Sequence, residues 1–168
     1  MMPFASLSVA NEDESKSANN LKQNETTITK IKTKRNTMST QNPRVEEVKQ
    51  VMNDLIQIAT SYDIDELDRI YHDDMSVLMI DTEGSVNTAN KADFIQIFQA
   101  KKDAGEPPMN TWADFHRIDV DGDKAHVLVS RKNDLSGQNM ILILSIDFIF
   151  QDNRWQVTRE VIFLRPEE

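Results

Sequence analysis

Asp114 and His116 stand two residues apart in "TWADFHRIDV" (111–120). In an extended strand that spacing turns both side chains to one face. A carboxylate beside an imidazole orients the ring and supports its cation. A His near its reference pKa of about 6.5 then serves as general base or acid at neutral pH. Arg131 and Arg159 are the cations expected on the same face, each able to bind a carboxylate or an oxyanion. Trp112 lies next to this group. Each residue has a plainer alternative. Asp114 and His116 could be a hydrogen-bonded pair of structural value, or a bulge could turn them outward. Arg159 could pair with a helix acid such as Asp54, or extend to the rim. A further acid, Asp147, interrupts the apolar run "NMILILSIDFIF" (139–150). Unpaired and ionised in a core it would cost several kcal/mol. The expectation is that it faces the other side of the sheet, opposite Thr158 and diagonal to His126.

Other chemistries find no support in the pattern. There is no Cys, and the three His are scattered without ligand spacing, so no metal is expected. No phosphate-binding loop, dinucleotide fingerprint or nucleophile elbow occurs, so no cofactor is expected. "DVDGD" (119–123) has a faint look of a calcium loop but lacks the later Glu ligand, and reads as a hairpin turn.

The elements that must hold these residues follow from periodicity. Asn42-Pro43 is a helix-start signal, and Val45, Val48, Met52, Leu55 and Ala59 continue it to about residue 61. Asp63 with Glu66 forms a capping box for a second helix bearing Leu67, Ile70 and Tyr71. "MSVLMI" (75–80) reads as a strand and "DTEG" as a turn. Asn90 caps a third helix with Phe94, Ile97 and Phe98, ending before Gly105. After Pro108 four long strands are expected, with hairpin turns at Asp121-Gly122 and Asp152-Asn153 and an even-length loop within 134–137. Three helices followed by a meander give an α+β class, helices on one face of a bent, mostly antiparallel sheet.

Charge is uneven along the chain. The net formal charge is −9, yet residues 1–43 carry six basic and four acidic residues, leaving the remainder at −11. So acidic a folded part lacks the basic face that nucleic acid requires. No run of 18 apolar residues exists, so no membrane span is expected. The polar segment 1–42 is too poor in apolar residues to repay ordering, and is expected to be a disordered extension. Met38 is an alternative start, and residues 43–168 are expected to form a single domain. Without a recognisable signal peptide, the expected location is cytoplasmic.

The order of elements, with "LDRIYHDDMSVL" (67–78), "IDVDGDKAHV" (118–127) and "FIFQDNRWQV" (148–157), resembles the nuclear transport factor 2-like superfamily, in its SnoaL-like and lumazine-binding-like branches. The resemblance spans about residues 44–166. It implies a cone-shaped, cystatin-like fold whose sheet wraps an apolar pocket under the helices. It also implies frequent homodimers through the outer sheet face. Tyr62, Tyr71 and His72 lie at helix ends that such folds bring near the pocket, and Phe94, Phe98, Met79 and Met109 would line or fill it. The lumazine-binding-like branch often carries an Asp where Leu144 aligns and a Lys where Glu160 aligns. This chain has neither, so that branch's function does not transfer.

Even-length turns would fix the register and hence the faces. The expected inward rows are His116/Val127/Leu144/Val161, Ile118/Ala125/Ile146/Arg159, Asp114/Val129/Leu142/Phe163 and Trp112/Arg131/Met140/Arg165. The outward set would include His126, Ser130, Asp147, Thr158, Glu160 and Ile162. Three functions are compatible with this. The first is a small-molecule-binding domain for a hydrophobic ligand. The second is an acid–base isomerase, dehydratase or cyclase using Asp114 and His116. The third is a dimeric assembly module whose pocket is filled by its own side chains.

Overall fold

Helix α1 (Pro43–Thr60) starts on the expected Pro and carries its apolar stripe inward. Val48, Met52, Leu55 and Ile56 on it are almost fully buried. The computed structural model describes residues 43–133 and 139–167. The expected extension over 1–42, including Asn42, and the expected loop within 134–137 lie outside the described residues.

Helix α2 (Ile64–Ile70) is capped by Asp63, whose side chain accepts the Glu66 amide hydrogen. It ends one residue earlier than its apolar pattern suggests. Tyr71 adopts extended backbone and opens β1 (Tyr71–Ile80). His72 is therefore a strand residue and not a helix-terminal charge. Its Nδ1 accepts the Asp74 amide hydrogen at 3.1 Å. Asp81 organises the turn that follows, its carboxylate accepting the Glu83 and Ser85 amides. A short strand, β2 (Val86–Asn90), pairs with β1. The pattern "VNTAN" carries little strand signal of its own and is templated by the β1 edge. Asn90 then caps α3 (Lys91–Asp103), accepting the Asp93 amide at 2.9 Å.

The meander comprises β3 (Ala113–Asp121), β4 (Lys124–Asn133), β5 (Met140–Gln151) and β6 (Arg154–Pro166). Together with the first two strands they form one six-stranded sheet in the order β2-β1-β6-β5-β4-β3. The β1–β6 pair is parallel and the others are antiparallel. Helices on one face of this curved sheet give the α+β cone expected from the sequence.

The core lies between α1, α2 and the concave sheet face. Val127, Val129, Ile146, Phe148 and Val157 have 2% exposure or less. Each such side chain contributes about 1.5–3 kcal/mol through removal from water. At one end Arg44 ties α1 to the sheet. Its guanidinium stacks 4.4 Å from the Phe150 ring centroid and 4.7 Å from that of Trp155, and donates to the Gly122 carbonyl.

Two bulges change the register. The β3–β4 turn is Gly122-Asp123, with Asp121 opposite Lys124, so Ile118 faces Val127. The ladder then slips between Phe115 and Arg117, placing His116 in a bulge and Asp114 opposite Ser130. In the β5–β6 hairpin, Asp152 and Asn153 both take positive φ, as a two-residue I′ turn requires. Phe148 faces Val157 as the turn dictates, but Asp147 faces Arg159, leaving Thr158 as the extra residue. A one-residue slip exchanges the two faces of a strand. Beyond Thr158, Glu160, Ile162 and Leu164 therefore point inward, while Arg159, Val161, Phe163 and Arg165 point outward. That is the reverse of the expectation from even-length turns. On β4 and β5 the expected faces hold, although partners move by two residues: Val127 pairs with Ile146 and Arg131 with Leu142.

Candidate functional site

Between the helices and the concave face lies a cavity of about 230 Å³. Helix α1 supplies Met52, Leu55, Ile56 and Ala59; α3 supplies Phe94, Ile97 and Phe98; the sheet supplies Leu142, Leu144 and Ile162. Phe94 meets Tyr71 and Phe98 in ring contacts at 5.8 and 5.2 Å, the second edge to face. The wall is thus mostly apolar and aromatic.

A small polar group interrupts it. Glu160 on β6 is 4% exposed and Arg131 on β4 is 7% exposed, and both line the cavity with Tyr71. The Tyr71 hydroxyl and the Glu160 carboxyl are neighbours that interact. Desolvation by the apolar wall pushes the Glu160 carboxyl up to about 7, with Tyr71 and Arg131 opposing the shift in part. Burial, then the neighbouring Glu160 charge, holds the Tyr71 hydroxyl well above its ordinary value. Burial also lowers Arg131 to about 10, while Glu160 counteracts this. Arg131 donates from Nε to the Trp112 carbonyl at 2.8 Å and from Nη2 to the Asn110 carbonyl at 2.6 Å. These bonds fix the guanidinium against the segment leading into β3. Lys101 and Lys132 also line the cavity, paired with Glu106 and Glu167 respectively.

A carboxyl that titrates near neutrality in an apolar cavity can give or take a proton at working pH. A hydroxyl beside it supplies a hydrogen-bond donor, and the guanidinium a fixed positive charge. This is the arrangement's chemical capacity.

The structure brings together Tyr71, Phe94, Phe98, Arg131 and Leu144 of the residues singled out from sequence, along with Met79 and Met109. It does not bring Asp114, His116, Trp112, Arg159 or Tyr62 to the cavity wall. The β3 bulge turns the first pair outward. There they remain neighbours, with His116 Nδ1 3.8 Å from Asp114 Oδ2, and His116 Nε2 lies 2.7 Å from Ser130 Oγ. Trp112 is 43% exposed, beneath the Lys132 ammonium, and contributes only its carbonyl to Arg131. The β6 bulge carries Arg159 outward, where it binds Asp147 Oδ2 at 2.7 Å. Tyr62 is buried with a positive φ, and its hydroxyl donates to the Pro107 carbonyl. Asp147 does face outward as expected. It sits directly between His126 and Arg159, with His126 Nδ1 at 2.7 Å from Oδ1. Even-length turns place Glu160 on the outer face, and the β6 bulge moves it inward. Its one signal was its place two residues before Ile162 in a strand whose apolar residues do not alternate strictly.

Comparison with known proteins agrees with this fold. A family model for the SnoaL-like domain matches residues 48–162. The chain belongs to the SnoaL-like family, within the nuclear transport factor 2-like superfamily. Similar solved structures include a nuclear transport factor 2-like protein of unknown function from Silicibacter pomeroyi. It is 20% identical, with 73% of this chain and 96% of that one covered and a TM-score of 0.57. A second, from Shewanella baltica, is 14% identical, with 75% and 99% covered and a TM-score of 0.57. A third, from Cytophaga hutchinsonii, is 16% identical, with 74% and 99% covered and a TM-score of 0.56. At these identities the likeness shows the fold alone. No curated protein matches the chain.

Proposed function

We propose that this domain binds a small, mostly apolar molecule in the cavity and that Glu160 exchanges a proton with it. The observation that carries the reading is a single buried carboxyl, with Tyr71 and Arg131 beside it, in a mostly apolar and aromatic cavity. A filled pocket, as an assembly module would have, leaves no such space. In the enzymatic form of this reading Glu160 is the general base, removing a proton next to a carbonyl. Tyr71 and Arg131 are the donors available to the oxyanion that forms. The products expected are those of isomerisation or dehydration.

Two measurements test it. A panel of small neutral compounds (toluene, indole, cyclohexanone) should raise the melting temperature of the wild type and not of Leu142→Trp, which fills the cavity from a half-buried position. Deuterium exchange next to the carbonyl of cyclohexanone, followed by NMR, should be faster with wild type than with Glu160→Gln by about 100-fold or more. If no compound shifts the wild type, the binding reading fails. Equal exchange in the two proteins removes the catalytic form.

A homodimer through the outer sheet face is a second part of this reading. Phe163 is 41% and Val86 58% exposed there. They belong to one cross-strand row with Ile143 and Ile80. Contiguous apolar side chains on an open sheet face favour a partner surface.

A further inference from the structure

The cavity wall has a charge pattern opposite to that of the chain. The whole sequence carries 28 acidic and 19 basic residues. The charged side chains lining the cavity are Arg131, Lys101 and Lys132 against Glu160 alone. By element, α3 contributes Lys101, β4 contributes Arg131 and Lys132, β6 contributes Glu160, and β1 contributes the Tyr71 hydroxyl. Helix α1 and strand β5 add no charge. The two lysines are already paired at the rim, so the deeper question concerns Arg131.

Arg131 is a buried cation that donates to the Asn110 and Trp112 carbonyls, both neutral. They satisfy two of its five donors and none of its charge. Glu160 is the acid that lowers the energy of that charge. Yet Glu160 itself sits in an apolar wall that favours its neutral form. A buried guanidinium beside a neutral acid lacks a counter-ion, and such a charge is costly unless an anion is supplied.

Resting on the cavity-binding reading above, we infer that the natural occupant is a small monocarboxylate with a one-ring-sized apolar body. Its carboxylate sits at Arg131 in place of Glu160 as counter-ion, and its body lies among Phe94, Phe98, Leu144 and Ile162. Size supports the body: an apolar cavity of about 150 Å³ accommodates benzene, and this one is about 230 Å³. Charge supports the head group: one ligand carboxylate balances one guanidinium, with Glu160 protonated and donating to the bound anion. No bond forms or breaks. One proton moves from solvent to Glu160 when the ligand enters above neutral pH.

The test is isothermal titration of the full chain with benzoate and with benzamide, its neutral counterpart of the same size. At pH 6.5 benzoate should bind about tenfold or more tighter than benzamide. Above pH 7 its affinity should fall by up to about tenfold per pH unit, with about one proton taken up as measured in buffers of different ionisation enthalpy. Glu160→Gln should abolish the proton uptake and hold the affinity level to pH 8.5. Arg131→Gln should bring benzoate down to benzamide. Should that variant fail to fold, the wild-type pair and Glu160→Gln still decide. Equal affinities for the two probes, or proton uptake that persists in Glu160→Gln, would overturn the inference. Binding of benzamide without preference for benzoate refutes the monocarboxylate while leaving the cavity reading intact. Binding of neither benzoate, benzamide nor the neutral panel refutes both.

Discussion

Glu160 makes the folded state sensitive to pH in a direction opposite to that of a surface carboxylate. Its ordinary value of 4.5 is raised to about 7 by desolvation. Between those values the folded chain holds a proton that the unfolded chain has lost. Stability therefore falls as pH rises through that window, and the loss is complete above about 7. At about 1.4 kcal/mol per unit the swing is on the order of 3 kcal/mol. Urea midpoints measured from pH 5 to pH 8 should decline for the wild type more steeply than for Glu160→Gln. Gln keeps an acceptor for Tyr71 and does not ionise. Parallel profiles would contradict the burial of a titrating group at this position.

The elements carry their own signals at their ends, and these can be tested without touching the cavity. The Asn90 side chain accepts the Asp93 amide at 2.9 Å, at the start of α3. Asn90→Ala should reduce stability by about 1 kcal/mol in chemical denaturation. Asp63, with a longer 3.4 Å contact to the Glu66 amide, should lose less when changed to Ala. In the β5–β6 turn Asn153 has φ 57°, a conformation that Gly takes at no steric cost. Asn153→Gly converts the turn to the favoured Asp-Gly pair and should add about 0.5 kcal/mol. A loss of stability there would mean that the Asn side chain makes a compensating local contact.

At the scale of the molecule the sheet has two distinct surfaces. The concave one is the cavity wall. The outer one has a polar row, Asp119–His126–Asp147–Arg159, separated by the row Leu128–Ser145–Val161–Leu78 from the apolar row of Ile143, Phe163, Ile80 and Val86. Arg117 pairs with Asp119 at the end of the polar row. If the outer face joins two copies, sedimentation velocity at tens of micromolar should give a dimer for the wild type and a monomer for Phe163→Asp. The cavity should be unaffected, because Phe163 lies on the other face from Ile162. A monomeric wild type would remove the dimer. Among the described residues no helix is long and apolar enough to cross a membrane.

Local chemistry made the elements legible. Pro43, the Asp63 capping box, the Asn90 cap, and the Asp121-Gly122 and Asp152-Asn153 signals each act within a few residues, so the sequence alone determined three helices and a four-stranded meander. It also determined the inward faces of β4 and β5, where unbroken alternation runs through Val127, Val129, Leu144 and Ile146. From these, with the family resemblance placing Tyr71, came half of the candidate site: Tyr71, Phe94, Phe98, Arg131 and Leu144. The other half depended on two bulges, at His116 and Thr158. A bulge has no fixed sequence mark: it arises where a strand bends to keep both its ends packed, and that bend is a property of the closed sheet. Each inserts one residue and exchanges the faces beyond it. Tertiary structure alone therefore turned Asp114, His116 and Arg159 out to the surface and placed Glu160 in the cavity, where desolvation raises the pKa of its carboxyl.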